Sequence, residues 1–163
     1  MSVTSTKPVA LGLEPSFGFG DRLGTATAGH LEALQSVGGP IRGIFAQQSI
    51  REMTRTRRTP AQVMNAAGGA LDAAGCREPW GADADHLKTE QDVDNTADAG
   101  FVFYTIDPSD DVDAQADAYD GATLADKFQS VRDQIDWIDQ YLNQTVQVAD
   151  GPTLSFDERT VQR

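Results

Sequence analysis

Phe101-Val102-Phe103-Tyr104-Thr105-Ile106 is a continuous apolar, aromatic and β-branched run, and Asp107-Pro108-Ser109-Asp110 ends it. A run of this kind reads as a buried parallel strand, because a strand covered on both faces has no polar side to alternate with. Three other short runs close in the same way, in Gly20-Asp21-Arg22-Leu23-Gly24, Ala46-Gln47-Gln48-Ser49 and Asp83-Ala84-Asp85-His86-Leu87-Lys88. Three of the four clusters lead clearly into a helix. A chain that repeatedly sets reactive side chains where a strand gives way to a helix reads as an α/β enzyme of the (β/α) type. In such folds the strand carboxyl ends share one face, and that face holds the active site. The chain has 163 residues, whereas a complete eight-unit barrel takes about 250. The expectation is a TIM-barrel-like fold with about half of the barrel present, residues 1–163 forming a partial catalytic domain.

The remaining elements follow from caps and periodicity. Leu13 to Phe19 leads to the first cluster, and Thr27 is the expected N-cap of a helix with Leu31, Leu34 and Val37 on its apolar face. Ile41 to Ala46 is the second strand, and Ser49 to Thr56 a short helix. Thr59-Pro60-Ala61-Gln62 is a capping box with proline at the first helical position. The helix it opens is rich in alanine and glycine, suited to close packing on a sheet, and Gly75 ends it. Gly81 to Asp85 is the third strand, and Thr89 to Asp92 caps a short helix that ends at Gly100. Beyond an acidic stretch, Leu124, Phe128, Val131, Ile135, Ile138 and Leu142 recur at helical spacing and predict one amphipathic helix. Residues 111–150 therefore read as a helical insertion. Val146 to Val148 and Thr153 to Phe156 are short strands or loop. Ser155-Phe156-Asp157-Glu158 reads as a capping box for a helix too short to stand alone. That helix and the open sheet edge lead to the expectation of a longer protein.

Composition bounds the function. The net charge is −12, from 19 Asp and 6 Glu against 10 Arg and 3 Lys. No basic footprint for nucleic acid is present. No run reaches the roughly 20 apolar residues of a membrane span, and residues 1–6 lack the apolar core of a secretory signal. A cytoplasmic protein is the default expectation. The excess of Asp over Lys suits a surface adapted to high salt. The single cysteine, Cys76, excludes an internal disulfide and reads as structural. Arg51, Arg55, Arg57 and Arg58 form one basic cluster, read as a solvated helix end or an anion site.

The strand-end clusters carry the chemistry. Asp85, His86 and Lys88 place a carboxylate, an imidazole and an ammonium within four positions. A His beside an Asp can begin a divalent-metal site, and an Asp beside a metal can act as a general base. The plainer reading is an ion pair between Lys88 and an aspartate. Gly18 and Gly20 make a G-x-G, but Leu23 stands where the dinucleotide fingerprint needs its third glycine. Asp21 and Arg22 are candidates for substrate binding, Arg22 as a bidentate partner of a carboxylate, or for a simple Asp–Arg pair. His30, in the first turn of its helix, is a rim candidate or an exposed helix-start residue. Gln47 and Gln48 suit sugar hydroxyls, or serve as caps. Asp107 and Ser109 bind substrate or cap the following turn. Trp80 reads as packing. No Ser–His–Asp order, P-loop or paired-Cys motif is present.

Four strings, SFGFGDRLG (Ser16 to Gly24, with TAGHL at Thr27 to Leu31), IFAQQSIREM (Ile44 to Met53), GADADHLKT (Gly81 to Thr89) and GFVFYTIDPSDDVD (Gly100 to Asp113), resemble the tagaturonate/fructuronate epimerase family. The resemblance covers most of residues 12–120. It implies a uronate-catabolic enzyme that interconverts two keto-hexuronates by inverting the carbon beside the ketone, with a divalent metal cation. It also implies that Asp85 is the proton acceptor and His86 a metal ligand. The opposing acid and the other ligands are expected in later family segments, and this part alone is expected to be inactive. Another metal-dependent sugar isomerase or aldolase, or a non-catalytic binding module, is the alternative. The metal's identity and the oligomeric state stay open.

Overall fold

The computed structural model describes residues 7–163, which divide into two compact units between Asp110 and Asp111.

The first unit alternates strands and helices. They are β1 (Ser16–Gly20), α1 (Thr27–Val37), β2 (Arg42–Ser49), α2 (Ile50–Thr56), α3 (Pro60–Ala73), β3 (Gly81–Leu87), α4 (Glu90–Asp98) and β4 (Phe103–Ile106). All four strands are parallel, in the order β1-β2-β3-β4. Their carboxyl ends therefore face one way, and every strand-end cluster stands at that edge. The register sets Gly20 beside Gln47, Gln47 beside Asp83 and Ser49 beside Asp85.

The core lies between the sheet and its helices. Phe45, Ala82, Ala84 and Leu87 from the strands meet Leu31, Val63, Ala67 and Leu71 from α1 and α3. Trp80, 1% exposed, and Cys76 lie in the same core, as their packing role requires. The alanines of α3 permit this closeness. Its capping box is fully formed, with Thr59 accepting from the Gln62 backbone and Gln62 from Thr59. Gly75, at φ +68°, ends the helix in the left-handed conformation that glycine adopts without strain. Thr89 and Asp92 cap α4 in the same reciprocal way.

Three local expectations change. Phe101 to Ile106 predicts a buried strand, yet β4 is an exposed one, with Phe103 55% and Ile106 62% exposed. It is the last strand of the sheet and pairs with β3 alone. An apolar run records the preference for burial, not whether a neighbour is present. Thr27 is the first residue of α1 rather than its cap, because Asp21 serves the helix start from six positions upstream. Strands β2 and β3 run further than expected, through the polar clusters to Ser49 and Leu87.

The second unit contains a 3-10 turn (Ala116–Ala118), α5 (Gly121–Arg132), α6 (Ile138–Tyr141), β5 (Gln144–Gln147), β6 (Thr153–Phe156) and α7 (Glu158–Gln162). The single amphipathic helix expected over Leu124 to Leu142 is two helices. After Arg132 the chain tightens into three-residue turns, Gln134 N–H to Val131 and Ile135 N–H to Arg132, and α6 restarts after Asp136. The hydrophobic spacing marks which residues favour an apolar face and does not register where the backbone ladder breaks off. β5 and β6 form an antiparallel hairpin. Ser155 lies within β6, so it caps nothing, and Asp157 is the true N-cap of α7, accepting from Thr160 N–H at 2.8 Å. Among the described residues no helix is long and apolar enough to cross a membrane.

Candidate functional site

The loop after β1 is organised by one carboxylate. Asp21 is 8% exposed. Its Oδ1 accepts from Gly24 N–H at 2.7 Å and Thr25 N–H at 3.0 Å, and its Oδ2 from Ala26 N–H at 2.7 Å and Thr27 N–H at 3.1 Å. The Thr27 hydroxyl donates to Oδ2 as well, at 3.1 Å. Burial pushes the Asp21 carboxyl up, but the backbone donors and Thr27 outweigh it and hold it below the usual value. Arg58 locks the loop from outside, Nη1 donating to the carbonyls of Asp21 and Arg22 and Nη2 to that of Gln62. Gly24 is required here. Its φ is +75°, and a Cβ would meet Arg58 Nη2 at 2.7 Å.

The end of β2 supplies two amides and a cap. Gln47 Nε2 donates to Asp83 Oδ2 at 3.3 Å. Gln48 is 3% exposed, and its Nε2 is buried without a hydrogen-bond partner among the described residues. Ser49 Oγ accepts from Glu52 N–H and starts α2. Glu52 in turn gathers arginines, Arg22 at 3.1 Å and Arg55 at 3.3 Å, so the Arg22 guanidinium already has a carboxylate partner.

At the end of β3 the chain takes an unusual turn. His86 has φ +55°, a left-handed conformation that costs a non-glycine residue about 1–3 kcal/mol. It folds the imidazole back beside its neighbour, with Nδ1 2.7 Å from Asp85 Oδ1. In a regular strand the two side chains would point to opposite faces, and the turn instead brings both to one concavity. Asp83 lies two residues earlier, on the Asp85 side of the strand. It accepts from Thr105 Oγ1 at 3.1 and 3.4 Å. Burial raises its affinity for a proton, only partly offset by Thr105.

A concavity of about 590 Å³ opens at this edge, and Asp21, Arg22, Gln47, Gln48, Asp85 and His86 all line it. The other four predicted site residues stand elsewhere. Lys88 pairs with Asp110 at 2.8 Å, lies 3.8 Å from Asp107 and donates to Ser109 Oγ at 3.1 Å. The Asp110 bond holds the Lys88 ammonium above its usual range. Asp107 accepts from Ser109 N–H at 3.0 Å, and Ser109 holds its carboxyl below the usual range. This network follows β4 at the same edge of the sheet but does not line the concavity. His30 stacks on Phe19 at 5.1 Å, and Phe19 on Phe45 at 5.4 Å, so its ring belongs to an aromatic stack.

Glu52 and Arg58 are not legible as site residues from the sequence, and Asp83 is legible only through its place beside Asp85. Alternation along β3 pairs Asp83 with Asp85, and that signal was available. Nothing in the sequence marks Arg58 as the clamp of a loop 36 residues away. Among the described residues no group of three or more His, Cys, Asp or Glu side chains is placed to hold a metal. Among the described residues His86 Nε2 has no partner, while Nδ1 is oriented by a carboxylate, the usual arrangement behind a metal-bound imidazole.

The tagaturonate epimerase family matches residues 2–163. A tagaturonate/fructuronate epimerase of Thermotoga maritima is 40% identical over 158 residues, 96% of this chain and 32% of that protein. Native and glycerol-complexed crystal structures of a fructuronate-tagaturonate epimerase from Cohnella laeviribosi are also similar. The native one has a TM-score of 0.72 at 38% identity, and one with two glycerols has 0.74 at 37%. Each comparison covers 97% of this chain and 32% of that one. The chain thus spans about a third of the length of the relatives it matches.

Proposed function

The chain belongs to the tagaturonate epimerase family, and from that premise we propose that its complete gene product interconverts tagaturonate and fructuronate in uronate catabolism. The substrate is then a small keto-hexuronate, and the parallel sheet is half of a (β/α) barrel. The observation that carries the reading is the Asp85–His86 pair at a strand carboxyl end, inside an amide-lined concavity.

Inversion beside a ketone removes a proton from one face of a carbon and returns one on the other. The intermediate is an enediolate, which needs its negative charge stabilised. Asp85 is the proton acceptor in this scheme. Its Oδ1 is occupied by His86, which leaves Oδ2 to take the proton. Gln47 and Gln48 hold substrate hydroxyls, and the unpartnered Nε2 of Gln48 is a donor in search of an oxygen. His86 Nε2 is suited to be one ligand of a divalent cation. Such a cation supplies Lewis-acid polarisation of the ketone when bound. The opposing acid is not assigned to a residue of this chain.

The test is epimerisation by the complete gene product in deuterated water. The product should carry deuterium at the carbon beside the ketone and keep the substrate's carbon skeleton. Release of two smaller carbonyl compounds would favour an aldolase instead.

A further inference from the structure

Asp83 is a buried carboxylate that the scheme above leaves unused. It is 4% exposed, and its hydrogen-bond partners among the described residues are neutral, the Gln47 amide and the Thr105 hydroxyl. The Gln47 amide is confined from the other side too. It lies over Gly18, where a Cβ would come within 2.5 Å of Oε1 and 2.8 Å of Cδ. The amide therefore bridges β3 and β1, with Nε2 on Asp83 and Oε1 toward Gly18. An ionised carboxylate can only accept hydrogen bonds, so it selects the Nε2 end and leaves Oε1 free as an acceptor. Gln47 lines the same concavity as Asp85 and His86.

We propose that Asp83 is a positioning residue that fixes the Gln47 amide, in the notch left by Gly18, so that Oε1 receives a hydroxyl of the sugar-acid substrate. This rests on the epimerase reading. It makes Gln47 a reader of one donor group and Asp83 the reason the amide faces one way. Gly18 is then conformationally ordinary, and a Cβ there would displace the Gln47 amide from this position.

Two measurements on the complete gene product test it. The first is independent of turnover. With ¹⁵N-labelled glutamine, the Gln47 side-chain amide signal is assigned by its loss in Gln47→Ala. It should move in Asp83→Ala and in Gly18→Ala. An unchanged signal in both overturns the proposal. The second is kinetic. Asp83→Ala should raise KM about 3–10-fold, as expected for one lost hydrogen bond, with kcat changed less than about twofold, and Asp83→Asn, which keeps one acceptor oxygen, should recover part of it. In a Gln47→Ala background the Asp83→Ala penalty should vanish, because the two residues act as one unit. A penalty that persists there overturns the proposal, as does a fall in kcat with KM unchanged. If Asp83→Ala does not fold, Gly18→Ala carries both arms. If the wild type does not interconvert the two keto-hexuronates, the epimerase reading fails, and the amide signal still decides whether Asp83 sets Gln47.

Discussion

Asp21 accepts four backbone N–H groups and one hydroxyl. Its first duty is therefore to the loop, even though it lines the concavity. Truncation to alanine strands those donors, and a buried unsatisfied donor costs about 1–3 kcal/mol. Urea denaturation at pH 7 should show Asp21→Ala less stable by about 2 kcal/mol or more, a cap loss added to a desolvation cost. The pH dependence has a definite sign. The folded carboxyl binds its proton less tightly than the unfolded one. Its stabilisation is thus complete above the ordinary Asp value and is lost as pH falls through the lowered one. The gap between wild type and Asp21→Ala should narrow in that acid range and stay constant above it. At Asp85 the expectation concerns chemistry. In the complete gene product, Asp85→Asn should lower turnover about 10²-fold or more while the fold survives. His86→Ala should instead weaken metal affinity and be partly rescued by excess metal. Unchanged solvent exchange in Asp85→Asn would move the base to another residue.

Helix starts separate the caps that sequence identifies from those it only suggests. Thr59 and Ser155 both begin a capping-box pattern. Thr59 makes the reciprocal bonds of the motif, whereas Ser155 is a strand residue and Asp157 caps instead. Thr59→Ala should cost about 0.5–2 kcal/mol. Ser155→Ala should change stability by less than about 0.5 kcal/mol, as a surface substitution does. Thermal melts of the two variants compare them directly, and equal losses would contradict the cap assignments. The broken helix after Arg132 teaches the same lesson. Hydrophobic spacing specifies which residues favour a common apolar face, while the backbone bonds that continue or interrupt a helix are decided locally.

Charge acts over the whole molecule. A net charge of −12 with only 3 Lys leaves much acid repulsion unneutralised. Salt screens such repulsion over about 8–10 Å at physiological strength and over less as salt rises. The melting temperature should therefore climb with potassium chloride, and a flat response would remove the high-salt interpretation. The exposed apolar residues of β1 and β4, Phe17, Phe103 and Ile106, stand at the two ends of the four-stranded sheet. Their exposure follows from strand order, which no local signal in these segments contains.

The sequence by itself determined the order of strands and helices in the first unit, most of their caps and the clustering of reactive groups at strand carboxyl ends. Those depend on local propensity, alternation and short-range hydrogen bonds, all encoded within a few residues. Tertiary structure alone decided which cluster residues meet. Asp21, Gln47, Asp85 and His86 converge because parallel register aligns the strand ends, and the left-handed turn at His86 redirects its ring. His30 was drawn into an aromatic stack, Lys88 into a separate acidic network, and Asp83 beneath Gln47 by contacts between residues far apart in the chain. Such contacts depend on packing in three dimensions, so spacing along one strand could nominate these residues but not assign their partners.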